Sequence, residues 1–93
     1  MYQIEYTKSF WRDMNRSKRL GLNIQEVISV VEILAEDGCV PSRYTPHMLH
    51  GKYAGCWECH IDDDWLLIWR QDEKRLTLLF MRTGSHDELF HNK

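Results

Sequence analysis

Five polar residues in the second half of this chain have the side-chain types that acid–base chemistry on a phosphate needs. They lie in three short polar segments and are His47, His60, Asp64, Arg82 and His86. Imidazoles exchange protons near neutral pH, a carboxylate can orient one of them, and a guanidinium can hold a phosphate through paired hydrogen bonds. This set of residues indicates a small nuclease that works without a metal ion.

Other uses of the same residue types stay open at the level of sequence. A lone histidine in a strand is most often an ordinary surface or hydrogen-bonded residue, and we interpret His50 and His91 in that way. Three histidines and an aspartate could also bind zinc. Asp62 and Asp63 are most simply turn residues, because aspartate side chains stabilise tight turns.

The composition is that of one globular domain, which we place at residues 1–93. The chain has 93 residues, of which 43% are hydrophobic and 28% are charged, and these values do not suit a disordered chain. No apolar run approaches the roughly 18 residues that a membrane span needs. The first residues lack the charged and apolar segments of a secretory signal, so we expect a cytoplasmic protein.

Charge is distributed unevenly around a net value of −2. Residues 8–19 are basic and hold, against a single aspartate, Lys8, Arg12, Arg16, Lys18 and Arg19. Residues 58–73 are acidic, with six carboxylates against one arginine. Local fields of this kind can steer a polyanion even when the whole molecule is near neutral. The arginines are therefore candidate substrate-binding residues, and the alternative is that they form the solvated face of a helix.

The three cysteines, Cys39, Cys56 and Cys59, do not form the even set that is typical of a secreted disulfide framework. The string from Cys56 to His60 matches the c-type haem attachment motif. In a strand, however, residues three apart point to opposite faces, so the two sulfurs could not both bind one porphyrin. We therefore expect ordinary buried or unreactive thiols.

The first half of the chain shows a short strand, at residues 3–7, followed by two amphipathic helices. Thr7 or Ser9 can cap a helix that runs to about Arg19 and is ended by Gly21. Its predicted inner side holds Phe10, Met14 and Ser17, and its predicted outer side holds Arg12, Arg16 and Arg19. A second helix is predicted from a capping box at Asn23 and Glu26 to about Gly38.

The second half changes to the pattern of strands, predicted near residues 48–53, 55–61, 64–70 and 75–82. Tight connections are predicted at residues 62–63 and 72–73. The sequence therefore predicts an α+β domain, with two N-terminal helices packed on a four- to five-stranded, mainly antiparallel, twisted sheet.

Two features of these strands bear on function. In residues 55–61, Glu58 and His60 alternate with apolar neighbours, which predicts polar chemistry on the face away from the core. The strands at 64–70 and 75–82 are apolar almost without alternation and need cover on both faces, whereas two helices can cover only one. We therefore expect a partner segment to lie against the sheet or the helices.

The order of elements and the polar motifs together resemble the RelE/ParE superfamily of bacterial toxins, and in particular its YafQ-like mRNA interferases. The resemblance covers nearly the whole chain. Its motifs are Lys8-Ser9-Phe10, His47-x-Leu49-x-Gly51, His60 four residues before Asp64-Trp65, and Arg82-Thr83-Gly84-x-His86 followed by Leu89-Phe90. One departure is Glu58, which stands where relatives can carry an aspartate, and another is the acidic net charge.

The resemblance implies a RelE-like fold and a toxin of a type II toxin–antitoxin pair that cuts mRNA in the ribosomal A site. The implied partners are the message, ribosomal RNA and a small antitoxin whose C-terminal segment orders on binding, and no cofactor is implied. The matching catalytic positions are His47, His60, Asp64, Arg82 and His86. Phe90 and Glu58 would join the three helix arginines in substrate binding.

Metal-free cleavage of RNA assigns roles to these positions. A base takes the proton of the 2′-hydroxyl, an acid protonates the departing 5′-oxygen, and donors stabilise the charge on the phosphoryl oxygens. We expect His86 to be the acid, His60 or His47 to be the base, and Arg82 to hold the phosphate. Asp64 would orient one imidazole.

Two non-enzymatic classes remain alternatives. A ParE-like gyrase inhibitor would share the fold but needs no histidine cluster, so the three histidines speak against it. A module that only binds an antitoxin is the second alternative.

Overall fold

The first helix begins where its sequence signal predicts. The structure, a computed structural model, describes residues 1–90. Strand β1 (Gln3–Tyr6) leads into helix α1 (Lys8–Arg19), and Thr7 is its N-cap, with a side-chain oxygen that accepts from the Phe10 backbone N–H at 2.9 Å. The same hydroxyl donates to the Met81 carbonyl at 2.8 Å, which ties the helix start to the sheet. The inner side of α1 is buried as predicted.

We expect Thr7→Ala to lower the free energy of unfolding by about 1–2 kcal/mol, because it removes a helix cap and a contact to the sheet together. Urea denaturation of the purified protein measures the change. Thr7→Ser keeps the hydroxyl and should stay within about 0.5 kcal/mol of wild type. An equal loss in both variants would show that the methyl group, not the hydrogen bonds, stabilises this helix start.

Helix α2 (Gln25–Asp37) starts later than predicted and ends as predicted. Asn23 accepts from the Gln25 backbone N–H at 3.1 Å, but the capping box does not form and Ile24 occupies the cap position. Gly38 ends the helix with a φ of 73°, and a Cβ there would lie 2.7 Å from the Tyr2 ring. The end therefore needs glycine for two reasons, its backbone conformation and the close aromatic ring.

The sheet has five strands in the order β1-β5-β4-β3-β2, which confirms the predicted fold class. The other strands are β2 (His47–Met48), β3 (Trp57–Asp62), β4 (Trp65–Asp72) and β5 (Thr77–Gly84). Only the β1–β5 pair is parallel. The strand predicted at 48–53 is wrong, since β2 has two residues and Gly51–Tyr53 forms a 3-10 turn.

A third helix, α3 (His86–Phe90), follows β5 directly and was not predicted. His86 is the first residue of this helix. Ser85 Oγ accepts from the Glu88 backbone N–H at 3.1 Å, and Glu88 Oε1 accepts from the Ser85 backbone N–H at 2.8 Å. This reciprocal pair is a capping box, which is the sequence signal that could have found the helix.

The two faces of the sheet carry two separate cores. The main core lies under α1 and α2 and contains, among others, Phe10, Val27, Leu34, Leu67, Trp69 and Phe80. The smaller core lies on the opposite face, which we term the second face, and consists of Tyr53, Cys56, Leu66, Ile68 and Leu89. The chain itself therefore covers the second face of β4. Contrary to the expectation from the sequence, the apolar strands do not need a partner segment for this cover. No helix within residues 1–90 is long and apolar enough to cross a membrane.

The cysteines of the haem-like string lie on opposite faces of the sheet. Cys56 is 1% exposed in the smaller core and Cys59 is 0% exposed in the main core. Burial raises the pKa of Cys59 to about 12, so its thiol stays protonated at neutral pH. The sulfurs point apart as strand alternation predicts.

We expect a thiol-reactive aromatic disulfide to modify one cysteine per native chain rapidly at pH 8. Cys39 is the exposed cysteine, whereas Cys56 and Cys59 are buried and should react only after unfolding in urea. Absorbance of the released thiolate counts the reactive groups. The rapid phase should vanish in Cys39→Ser, and its persistence would contradict the buried placement of the other two.

Candidate active site

Two rows of residues cross the second face of the sheet and bring predicted site residues together. Strand register forms the first row from His47, Glu58, Ile68 and Arg82, and the second row from His60, Leu66 and Gly84. Neighbouring strands lie about 4.8 Å apart, and residues two positions apart on a strand lie about 7 Å apart on one face. The rows, with His86 two residues beyond Gly84, form the polar patch: His47, Glu58, His60, Arg82 and His86.

His47 is held at both ring nitrogens. Its Nε2 lies 3.0 Å from Glu58 Oε1, and its Nδ1 lies 3.1 Å from the carbonyl oxygen of Thr45. The Thr45 carbonyl oxygen and the Glu58 carboxylate are both hydrogen-bond acceptors, so each ring nitrogen faces an acceptor. The side chain of His47 is 49% exposed and that of Glu58 is 6% exposed. His47 is therefore a half-exposed imidazole with a buried carboxylate behind it.

Glu58 has one oxygen that makes no hydrogen bond. Its Oε2 is buried and has no hydrogen-bond partner among residues 1–90. A buried carboxylate normally uses both oxygens, so this atom is an open acceptor beside His47. Glu58, a candidate substrate-binding residue from the sequence, lies behind His47 and contacts that ring.

His60 is the least constrained of the three histidines in the patch. Its ring centre lies 6.4 Å from that of His47, and neither of its nitrogens has a hydrogen-bond partner within residues 1–90. A cavity of about 460 Å³ opens beside it, lined also by the loop at 43–45 and by Asp62 and Asp63. An unpaired imidazole next to open space can accept a proton from a bound ligand.

His86 lies at the end of the patch, at the start of α3. Its backbone N–H donates to Asp64 Oδ1 at 2.9 Å. Its ring packs on Phe90, with ring centres 4.8 Å apart, and Phe90 meets the edge of Tyr53 at 5.6 Å. Asp64 was expected to orient an imidazole, but it accepts a hydrogen bond from the backbone of His86. Phe90 holds α3 against the smaller core.

Arg82 is fixed by a residue that the sequence analysis did not single out. Its Nε and Nη2 lie 2.6 Å and 3.1 Å from the two carboxylate oxygens of Asp13 on α1. Its Nη1 donates to Tyr53 Oη at 3.2 Å. The hydrogen bond with Asp13 raises the pKa of Arg82. The signal that could have found Asp13 is its position on the apolar side of α1, between Phe10 and Met14, where a carboxylate needs a buried partner.

The predicted outer stripe of α1 is only partly correct. Arg12 and Arg19 are exposed. Arg16 instead lies against Asp13 at 2.9 Å and against Glu88 of α3 at 3.1 Å. It turns inward because residue 16 is three positions after Asp13, on the same side of the helix. Arg16 is therefore committed to internal ion pairs. Arg12 donates to Ser9 Oγ at 3.3 Å, and both Arg12 and Arg19 are exposed where a polyanion could reach them.

The zinc site that the sequence left open has no cluster of ligands among the described residues. Within residues 1–90, no group of three or more His, Cys, Asp or Glu side chains converges in a way that could hold a metal ion. The polar patch instead offers two imidazoles about 6 Å apart, a guanidinium and a third imidazole at its end.

Comparison with known proteins identifies the family of the chain. Residues 2–91 match the family described as bacterial toxin of type II toxin-antitoxin system, YafQ. The chain belongs to the YafQ toxin family. The prediction of a RelE/ParE-type toxin of the YafQ-like branch is thereby confirmed.

Individual YafQ relatives cover nearly the full chain. The mRNA interferase toxin YafQ of Escherichia coli K12 is 28% identical over 88 residues, 94% of either chain. The E. coli DinJ-YafQ complex superposes with a TM-score of 0.87 at 26% identity, covering 97% of this chain and 99% of that one. A metal-bound toxin from Helicobacter pylori has a TM-score of 0.87 at 33% identity, covering 97% and 100%.

Proposed function

We propose that this YafQ-family chain is an endoribonuclease that cuts mRNA in the ribosomal A site by metal-free acid–base catalysis. The observation that carries the proposal is the polar patch, which groups three histidines and Arg82 on one open face. The curated E. coli relatives are named mRNA interferases, which agrees with this activity. The catalytic roles below are our assignments.

His60 is the group we assign as general base. It has no hydrogen-bond partner within the described residues, so a lone pair can accept the proton of a ribose 2′-hydroxyl. His47 suits that role less well, because both of its nitrogens already contact acceptors of the protein itself. The structure thus supplies a reason to prefer His60 where the sequence left the two histidines as alternatives.

The reaction then follows from the positions around the scissile phosphate. The 2′-oxygen, losing its proton to His60, bonds to phosphorus, and the bond from phosphorus to the 5′-oxygen breaks. His86 donates a proton to that leaving oxygen, and the products are a 2′,3′-cyclic phosphate and a 5′-hydroxyl. The N–H groups of Arg82 that Asp13 and Tyr53 leave unused stabilise the charge on the phosphoryl oxygens, and His47 lies on the same face beside them.

Asp64 and Phe90 serve the acid by fixing its helix. Asp64 accepts from the backbone of His86, and Phe90 contacts the ring. A ring packed at this distance loses rotational freedom, which lowers the entropic cost of placing its proton at the leaving oxygen.

We assign to the ribosome the attraction for RNA that the charge of this protein does not provide. The net charge of −2 gives no general attraction for RNA, so free RNA should be a poor substrate. Arg12 and Arg19, exposed on α1, are suited to phosphates of ribosomal RNA. The site of action would then be the cytoplasm.

The partner we propose is a small antitoxin. E. coli YafQ has been solved in complex with DinJ, and the chain shares that fold over nearly its full length. A C-terminal antitoxin segment that orders on binding would occlude the polar patch.

Controlled expression in bacteria tests the proposed function. We expect growth arrest, with new message ends in translated regions mapped by primer extension, and rescue by co-expression of the cognate antitoxin. Arrest without new message ends would favour a ParE-like toxin. Normal growth with abundant folded protein would favour a module that only binds its partner.

A further inference from the structure

Helix α1 carries a buried carboxylate at the open edge of β5. Strand β1 pairs with β5 only as far as Phe80, and the chain then turns away into α1. Asp13, which is 2% exposed, fills the gap: its Oδ2 accepts from the Thr83 backbone N–H at 3.0 Å. Its carboxylate also accepts from Arg82 at two nitrogens and from Arg16.

This carboxylate fixes the direction of the Arg82 guanidinium. A guanidinium has five N–H groups in one plane, and here the Nε–Nη2 edge lies on Asp13 while Nη1 lies 3.2 Å from Tyr53 Oη. Because the group is planar, these contacts also fix the direction of the remaining N–H groups. Without Asp13 the side chain would be free to rotate about several bonds.

The same carboxylate is linked to the helix that carries His86. Arg16 bridges Asp13 at 2.9 Å and Glu88 at 3.1 Å. Glu88 Oε1 accepts from the Ser85 backbone N–H and so forms the cap of α3. The sequence of contacts from β5 to α3 is therefore Arg82, Asp13, Arg16, Glu88 and Ser85.

We propose that Asp13 and Arg16 are positioning residues for RNA cleavage, acting through Arg82 and through the N-terminus of α3. The proposal rests on the function proposed above. It changes the role of Arg16, which the sequence assigned to substrate binding. Asp13 and Arg16 touch no substrate; they hold in one geometry the phosphate donor and the acid-bearing helix.

The first test compares two arginines on the same helix. We expect Arg16→Gln to lower the single-turnover cleavage rate of ribosome-bound message by about 10-fold, with the half-saturating protein concentration and its salt dependence unchanged. Arg12→Gln should instead raise the half-saturating concentration and lower the salt slope by about one phosphate contact. A result for Arg16→Gln that follows the pattern of Arg12→Gln would overturn the positioning role. So would an unchanged rate.

The second test asks whether Asp13 acts through Arg82. Asp13→Asn should lower the single-turnover rate by about 10²-fold in the wild-type background. In an Arg82→Gln background the same change should lower it by less than about twofold, because the group that it positions is gone. Equal losses in both backgrounds would contradict the proposal.

Two further measurements keep the test decisive. If Asp13→Asn does not fold, Glu88→Gln replaces it: the amide oxygen can still cap α3, but the charge opposite Arg16 is lost, and we expect about a fivefold lower rate at unchanged half-saturation. An unchanged rate would then overturn the link to α3. The Nε proton of Arg82 should exchange slowly with solvent in wild type. Its nuclear magnetic resonance signal should be lost in Arg16→Gln and in Asp13→Asn.

That signal separates the two proposals. If wild type fails to cut message but shows the protected Nε–H, the proposed function fails, whereas the positioning of Arg82 by Asp13 stands. If wild type cuts message and the Nε–H is unprotected, the proposed function stands and the positioning role is wrong.

Discussion

Replacing His86 with alanine should lower the cleavage rate of ribosome-bound message by about 10²–10⁴-fold, the usual contribution of a general acid. His86 is exposed and its ring packs on Phe90, so the free energy of unfolding should change by less than about 0.5 kcal/mol. Single-turnover cleavage and urea denaturation measure the two quantities on the same preparation.

His50→Ala is the matched control for that loss. His50 is exposed and lies outside both rows of the polar patch, so its variant should cut message at the wild-type rate. A His86→Ala protein that cleaves within about threefold of wild type would remove the proposed acid. An unfolded His86→Ala protein would show instead that the ring holds α3 in place.

Arg82→Gln should affect both activity and stability. The cleavage rate should fall by about 10²–10³-fold, because a donor to the developing phosphoryl charge is removed. The free energy of unfolding should fall by about 2–4 kcal/mol, because Asp13 stays buried with its main cationic partner gone. Arg16 and the Thr83 N–H still donate to Asp13, which keeps the loss below complete unfolding.

The control for this change is Arg70→Gln on the neighbouring strand. Arg70 is exposed and has a 3.7 Å contact with the Cys56 sulfur, so its loss should cost less than about 0.5 kcal/mol. The two arginines carry the same charge and lie on the same sheet. Of the two, only Arg82 forms an ion pair with a buried carboxylate. Equal destabilisation by both substitutions would mean that the Asp13–Arg82 pair contributes nothing specific.

The elements that follow simple periodicity were predictable from the sequence. Thr7 at the start of α1 and Gly38 at the end of α2 act through local hydrogen bonds and backbone conformation, which a sequence pattern reports directly. The alternation in β3 placed Glu58 and His60 on the face opposite Cys59, and the register confirms that placement. A period of two residues fixes which face a side chain occupies.

The contacts between distant residues were not predictable in the same way. Asp13 and Arg82 are 69 positions apart, and no local pattern says that the end of β1 leaves a gap on β5 for a carboxylate to fill. The same limit applied to Arg16, which helical periodicity alone placed outside. Its orientation depends on Glu88, a residue of α3 that lies next to Arg16 only in the folded chain.

The cover of the second face was also missed, for a related reason. The two helices predicted from the sequence can cover only one face of the apolar strands. Tyr53 in a 3-10 turn and Leu89 in α3 provide it, and both segments are too short to show a period. The catalytic roles of the patch residues stay predictions, and the geometry adds a preference for His60 over His47 as base.

The chemistry of the cut ends tests the central claim most directly. Purified wild-type protein is mixed with ribosomes carrying a labelled message in the A site, and both new ends are identified. We predict a 2′,3′-cyclic phosphate and a 5′-hydroxyl, and no cleavage when the nucleotide before the cut lacks its 2′-hydroxyl. A 3′-hydroxyl with a 5′-phosphate, or cleavage at the 2′-deoxy position, would contradict the account.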